Sequence, residues 1–182
     1  MSDDTTNLAD SGCVSRRNFL FGSSAVVASS ILLPALPGTG GKALAAEMAR
    51  YPRKLVGKLS SLKTNEVQHF NYPDDGSTAK SVIVKLGTPA GGGIGKGRDV
   101  VAFNALCTHM GGDMRKTYKS EHQVLGPCPF HQSTFDLQRH GMIVSGHATE
   151  SLPQVLLELE GDDIYAVGLI GLIYGRYDNL KG

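Results

Sequence analysis

From Lys54 onward the apolar residues come in short runs, some alternating with polar residues and some continuous, and each run gives way to residues that favour turns. Runs of this kind predict β-strands. They fall at Lys54–Lys58, Val67–Tyr72, Ser81–Leu86, Val100–Asn104, Gln123–Gly126, Ser133–Asp136, Met142–Val144, Val155–Glu160 and Ile164–Gly168. The breakers between them are Pro73-Asp74-Asp75-Gly76, the stretch Gly87 to Gly97, Gly111-Gly112-Asp113 and Gly161-Asp162-Asp163. Many short strands with regular turns predict an all-β, antiparallel sandwich or barrel. The stretch Ala90-Gly91-Gly92-Gly93-Ile94-Gly95-Lys96-Gly97 has neither the leading glycine nor the trailing Ser or Thr of a phosphate loop. It is expected to be a mobile connection between strands.

The N-terminus has a different pattern. Arg16-Arg17 stand directly before a moderately apolar run, Phe19 to Leu36, which ends at Pro37 and is followed by Ala43-Leu44-Ala45-Ala46. A charged start, an apolar stretch and small residues at A-x-A spacing describe an export signal, and the arginine pair followed by Phe-Leu points to the twin-arginine type. The expected division is a signal peptide over residues 1–46 and one domain over 47–182. The apolar run is borderline in length for a membrane span and is diluted by Gly22, Ser23, Ser24, Ser29 and Ser30, so no stable membrane anchor is expected. The implied location is the periplasm, and twin-arginine export suits a protein that folds around a cofactor before crossing.

Composition narrows the class. The chain has 182 residues, 41% hydrophobic and 19% charged, with a formal net charge of +1. That suits one globular domain large enough to bury a core, and the neutral balance argues against nucleic acid as a partner. The 23 glycines and the absence of Trp fit a turn-rich β-protein. The three cysteines are Cys13, Cys107 and Cys128, and the first lies within the expected signal.

The candidate chemistry lies in two clusters, Cys107-Thr108-His109 and Cys128-Pro129-Phe130-His131. Each offers one thiolate and one imidazole at short spacing. This suits a [2Fe–2S] centre in which two cysteines hold one iron and two histidines the other, the neutral imidazoles raising the potential. A structural zinc site also accepts two Cys and two His, but commonly in the order cysteine pair, then histidine pair. A Cys107–Cys128 disulfide would suit an oxidising compartment but leaves both histidines unexplained. His69, His122, His140 and His147 have no partners at ligand spacing and read as surface or structural residues.

Cys-Thr-His-Met-Gly-Gly and Cys-Pro-Phe-His-Gln-Ser-Thr-Phe-Asp resemble the two cluster-binding loops of the Rieske family. The likeness is greatest to the small subunit of arsenite oxidase, through Val84–Pro89, Gly146–Pro153 and the tail Gly171–Arg176. This resemblance implies a Rieske fold with a small cluster-binding part at about residues 104–140, and one Rieske [2Fe–2S] cluster held by Cys107, His109, Cys128 and His131. It further implies an electron-transfer role beside a molybdopterin-containing large subunit, with a soluble cytochrome c or cupredoxin as acceptor and no catalytic residue on this chain. A Rieske subunit of a quinol-oxidising cytochrome bc complex is the alternative. Two departures stand out. Many relatives tie their loops with a disulfide where this chain has Gly112 and Phe130. A tyrosine that donates to a cysteine sulfur in the bc-type proteins is replaced by Phe135. Ser133 is retained and is expected to donate to a bridging sulfide. One hydrogen bond fewer places the potential in the middle or lower part of the Rieske range of about −150 to +300 mV.

Overall fold

The computed structural model describes residues 51–181. The expected export segment over 1–46, with Arg16, Arg17 and Cys13, lies outside the described residues. Ten strands run through the rest: β1 (Lys54–Lys58), β2 (Val67–Asn71), β3 (Lys80–Lys85), β4 (Val100–Asn104), β5 (Tyr118–Lys119), β6 (Val124–Leu125), β7 (Thr134–Asp136), β8 (Met142–Ser145), β9 (Gln154–Glu160) and β10 (Asp163–Ile170). Among the described residues the only helical element is a single 3-10 turn, Leu59–Ser61. Every predicted strand is present, with ends shifted by at most two residues, and β5 is an addition. The all-β expectation holds.

The strands form two antiparallel sheets. The larger has the order β1-β10-β9-β4-β3-β2 and the smaller β5-β6-β7-β8. Strands β3 and β4 are central and covered on both sides, which is why their sequences, KSVIVK and VVAFN, are nearly continuous apolar runs. Period-two alternation splits them between two cores. Val82, Val84, Val101 and Phe103 face the core that contains Leu125, Phe135, Leu137, Cys107 and Cys128. Ile83, Val100 and Ala102 face the other, with Val155, Ile164, Ala166 and Ile173. Fully burying one such side chain contributes about 1.5–3 kcal/mol, so Phe103→Ala would cost about 3–5 kcal/mol once the cavity is included.

The smaller sheet is an excursion between two paired strands. Phe103 of β4 is opposite Gln154 of β9, and the Asn104 N–H donates to the Pro153 carbonyl at 2.9 Å. Residues 105–153 therefore leave and rejoin the large sheet at one point. Both cysteine–histidine clusters lie inside this excursion, which extends beyond the segment of about 104–140 expected from sequence.

Candidate metal centre

The two cluster loops are conformational copies. The Cys107 N–H donates to the Gly112 carbonyl and the Cys107 carbonyl accepts from Gly111 N–H, at 2.9 and 2.7 Å. Likewise the Cys128 N–H donates to the Ser133 carbonyl and the Cys128 carbonyl accepts from Gln132 N–H, both at 2.9 Å. Gly111 and Gln132 both take left-handed backbone angles, φ 69° and 62°. The cysteine starts each loop, but the histidine is two residues on in the first and three in the second. The bridge between Leu106 and Asp113 closes the first loop, while β6 and β7 flank the second.

This geometry sorts the four candidate ligands by depth. Cys107 and Cys128 are buried in the same core and unbridged. The His109 and His131 rings meet edge to face with centroids 4.8 Å apart; His109 is half-buried and His131 exposed. Among the described residues no three His, Cys, Asp or Glu side chains gather as they would around one ion. The donors come as two buried thiols and an imidazole pair, a division that fits two irons. Burial pushes the Cys107 thiol up, while the backbone N–H groups of His109 and Met110 act the other way and favour the thiolate that iron binding requires.

The surrounding residues complete the fit. Ser133 is fully buried, and its Oγ accepts from the backbone N–H groups of His147 and Ala148 at 3.2 and 3.1 Å. Among the described residues nothing accepts the Ser133 hydroxyl proton, which remains available to a group between the loops. Gly112 has no room for a side chain, because a Cβ there would lie 2.6 Å from Cys128 Sγ and 3.4 Å from the Phe130 ring. Gly112 and Phe130 therefore do face each other, as the resemblance implies. The Phe130 ring is nonetheless 60% exposed. Phe135 is fully buried in the core that also holds both cysteines.

A third loop, which sequence reasoning missed, closes on the other two. Gly146 has φ 99°, and a Cβ there would lie 2.3 Å from Ser133 Cα, so only glycine lets the chain pass this close. The next residue, His147, is exposed and stacks on His109 at 5.7 Å with 29° between the planes, and stands edge-on to His131 at 6.2 Å. Thr108 Oγ1 donates to the Glu150 carbonyl at 2.6 Å, tying this loop to the first. Ligand spacing could not reveal His147, which is sixteen residues after His131; the Gly146–Pro153 resemblance was the only signal. The other histidines stay apart: His69 contacts the Arg115 carbonyl and His140 contacts Gln154.

Charge also anchors the first loop. Asp113 accepts from the Arg115 guanidinium and from Lys80 of β3, contacts that hold its carboxyl well below the usual carboxylate range. Behind the loop the Tyr174 ring lies against Gly111. The tail is held by Arg176, whose buried guanidinium donates to Asp74, Thr78 and the Asn179 carbonyl.

Comparisons with known proteins agree with this geometry. The model of the Rieske [2Fe-2S] domain matches residues 54–156. The chain is 55% identical to the iodate reductase subunit IdrB of Denitromonas iodatirespirans over 180 residues, covering 99% of this chain and 94% of that protein. It is 56% identical to the protein of the same name from Pseudomonas sp. strain SCT, covering 93% and 85%. Among solved structures, the soluble domain of Rieske protein II (soxF) from Sulfolobus acidocaldarius superposes with a TM-score of 0.59 at 23% identity, covering 70% of this chain and 82% of that one.

Proposed function

The chain belongs to the Rieske [2Fe–2S] family, and we propose that it is the electron-transfer subunit of a two-component oxidoreductase, with Cys107, His109, Cys128 and His131 as the cluster ligands. The division of donors carries this reading: two buried thiols behind, two imidazoles in front. When bound, the cluster takes up and returns one electron at a time. Cys107 and Cys128 would fix it to the core, and His109 and His131 would hold it on the side nearer solvent, where a partner could dock. With the cluster bound, the Ser133 hydroxyl would donate a hydrogen bond to a cluster sulfur, while Phe135 has no donor to offer.

The relatives' name supports iodate as the substrate, reduced on a separate large subunit that contains molybdopterin. In that reading a soluble cytochrome c or cupredoxin gives electrons to this chain, which passes them inward. Arsenite is the other substrate, supported by the resemblance of Gly146–Pro153 and the tail; electrons would then run outward. A quinol-oxidising bc complex has less support, because the relatives that match nearly the whole chain carry the iodate reductase name. The test is the purified complex with reduced or oxidised cytochrome c. Iodate-dependent oxidation of the cytochrome is the expected result. Arsenite-dependent reduction would move the assignment to arsenite oxidase, and neither activity from a molybdenum-free complex would overturn both.

The same reading places the protein in the periplasm, exported by the twin-arginine route through Arg16 and Arg17. Replacing both by Lys should leave precursor in the cytoplasm. Undiminished periplasmic arrival of that double variant, measured by fractionation, would remove this part of the proposal.

A further inference from the structure

His147 packs beside the imidazole pair and belongs to neither cluster loop. The third loop holds it firmly. The Gly146 backbone lies against Ser133, the backbone N–H groups of His147 and Ala148 both bond Ser133 Oγ, and Glu150 is tied to Thr108. The loop is thus fastened to both ligand loops through its backbone, which fixes the point from which the His147 side chain leaves. From this position it stacks on His109 and meets His131 edge-on. Stacked rings of this kind resist changes in each other's tilt.

We propose that His147 is a positioning residue for the histidine side of the centre: its ring fixes the plane of His109 and shields one of its faces from water. The proposal rests on the ligand assignment above. Its physical consequence follows from charge. A cluster with two thiolates and two neutral imidazoles is neutral when oxidised and carries one negative charge when reduced. Water admitted to the bared face of His109 stabilises the charged state more than the neutral one. Loss of the ring should therefore raise the potential, and freeing the His109 plane should alter the couplings of its iron-bound nitrogen.

The experiment uses the holo-protein with His147→Ala and His147→Phe. Iron content and the reduced-state EPR signal report on the ligand assignment itself, whereas the potential and the nitrogen hyperfine couplings report on His147. Expected are full iron content in both variants, a raised potential and changed couplings in His147→Ala, and values near wild type in His147→Phe, which keeps the stack. Wild-type potential and couplings in His147→Ala would overturn the proposal. So would an equal shift in both variants, because a nitrogen atom and not the stacked face would then be responsible. If His147→Ala fails to hold iron, His147→Phe decides: a wild-type signal supports the stack, and loss of iron there too overturns a positioning role.

Discussion

Ser133 is where stability and potential are coupled through one oxygen atom, so Ser133→Ala should change both by separate amounts. Its Oγ accepts from two backbone N–H groups of the third loop. Alanine leaves the buried Ala148 N–H without a partner, at a cost of about 1–3 kcal/mol; the His147 N–H is near the surface, where water replaces the bond. At about 3–5 °C per kcal/mol for a domain of this size, melting should fall by roughly 3–15 °C. The hydroxyl proton acts on the other quantity. A charge-assisted bond to the reduced cluster is stronger than the same bond to the oxidised one, by about 1 kcal/mol. For one electron that is about 40 mV, so the potential should drop by that order. Voltammetry and thermal unfolding of the same sample separate the two effects. A lowered melting temperature with an unchanged potential would refute the hydroxyl's role toward the cluster and leave it as a loop fastener only.

Replacing Cys107, His109, Cys128 or His131 by Ala should abolish the reduced-state EPR signal, because the iron it serves would keep only one of its two protein ligands; an intact signal in any of the four removes that residue from the ligand set. Gly112→Ala should displace Cys128 Sγ from 2.6 Å, which a cluster-bound sulfur resists, so iron content should fall together with a loss of about 1–3 kcal/mol in stability; full occupancy at wild-type stability would contradict the packing. Asp113→Asn should cost on the order of 1 kcal/mol near neutral pH, since the pairs it breaks are partly exposed. The folded carboxyl is held below its unfolded value of about 3.9, so its stabilisation is present above that pH and is lost as pH falls through the folded value. The melting difference between wild type and Asp113→Asn should accordingly shrink on acidification, and a difference that grew would reverse the assigned sign.

The fold was legible because its signals are local. The two-sided burial of β3 and β4 is consistent with unbroken apolar runs, and Gly161-Asp162-Asp163 marks the turn between β9 and β10. Strand β5 escaped because Tyr118-Lys119 has only two residues and is paired only through Tyr118–Leu125 and Lys119–Val124, a contact that no periodicity encodes. The two Cys–His clusters stand out in the sequence for the same local reason, each Cys and His being near neighbours, and the structure brings the two imidazoles together. The third loop was not, because Gly146 and His147 meet Ser133 and His109 only through tertiary approach. The duplicated hydrogen-bond pattern of the loops was hidden too, since CTHMGG and CPFHQS share little beyond the first residue.

The cofactor also has a mechanical meaning for this fold. Among the described residues there is no disulfide, and Gly112 and Phe130 meet where related chains are stapled. On the proposed ligand set each copied loop brings only half of the coordination, so neither would grip metal alone, and the ligated centre would join them as a covalent cross-link would. Closing the segment from Cys107 to Cys128 in this way removes loop entropy from the unfolded chain worth about 3 kcal/mol for as long as the iron stays bound. The excursion spanning residues 105–153 packs on the large sheet through Val82, Val84, Val101 and Phe103, and the cross-link would join its two ligand loops. The electron carrier would thereby double as the staple between those loops.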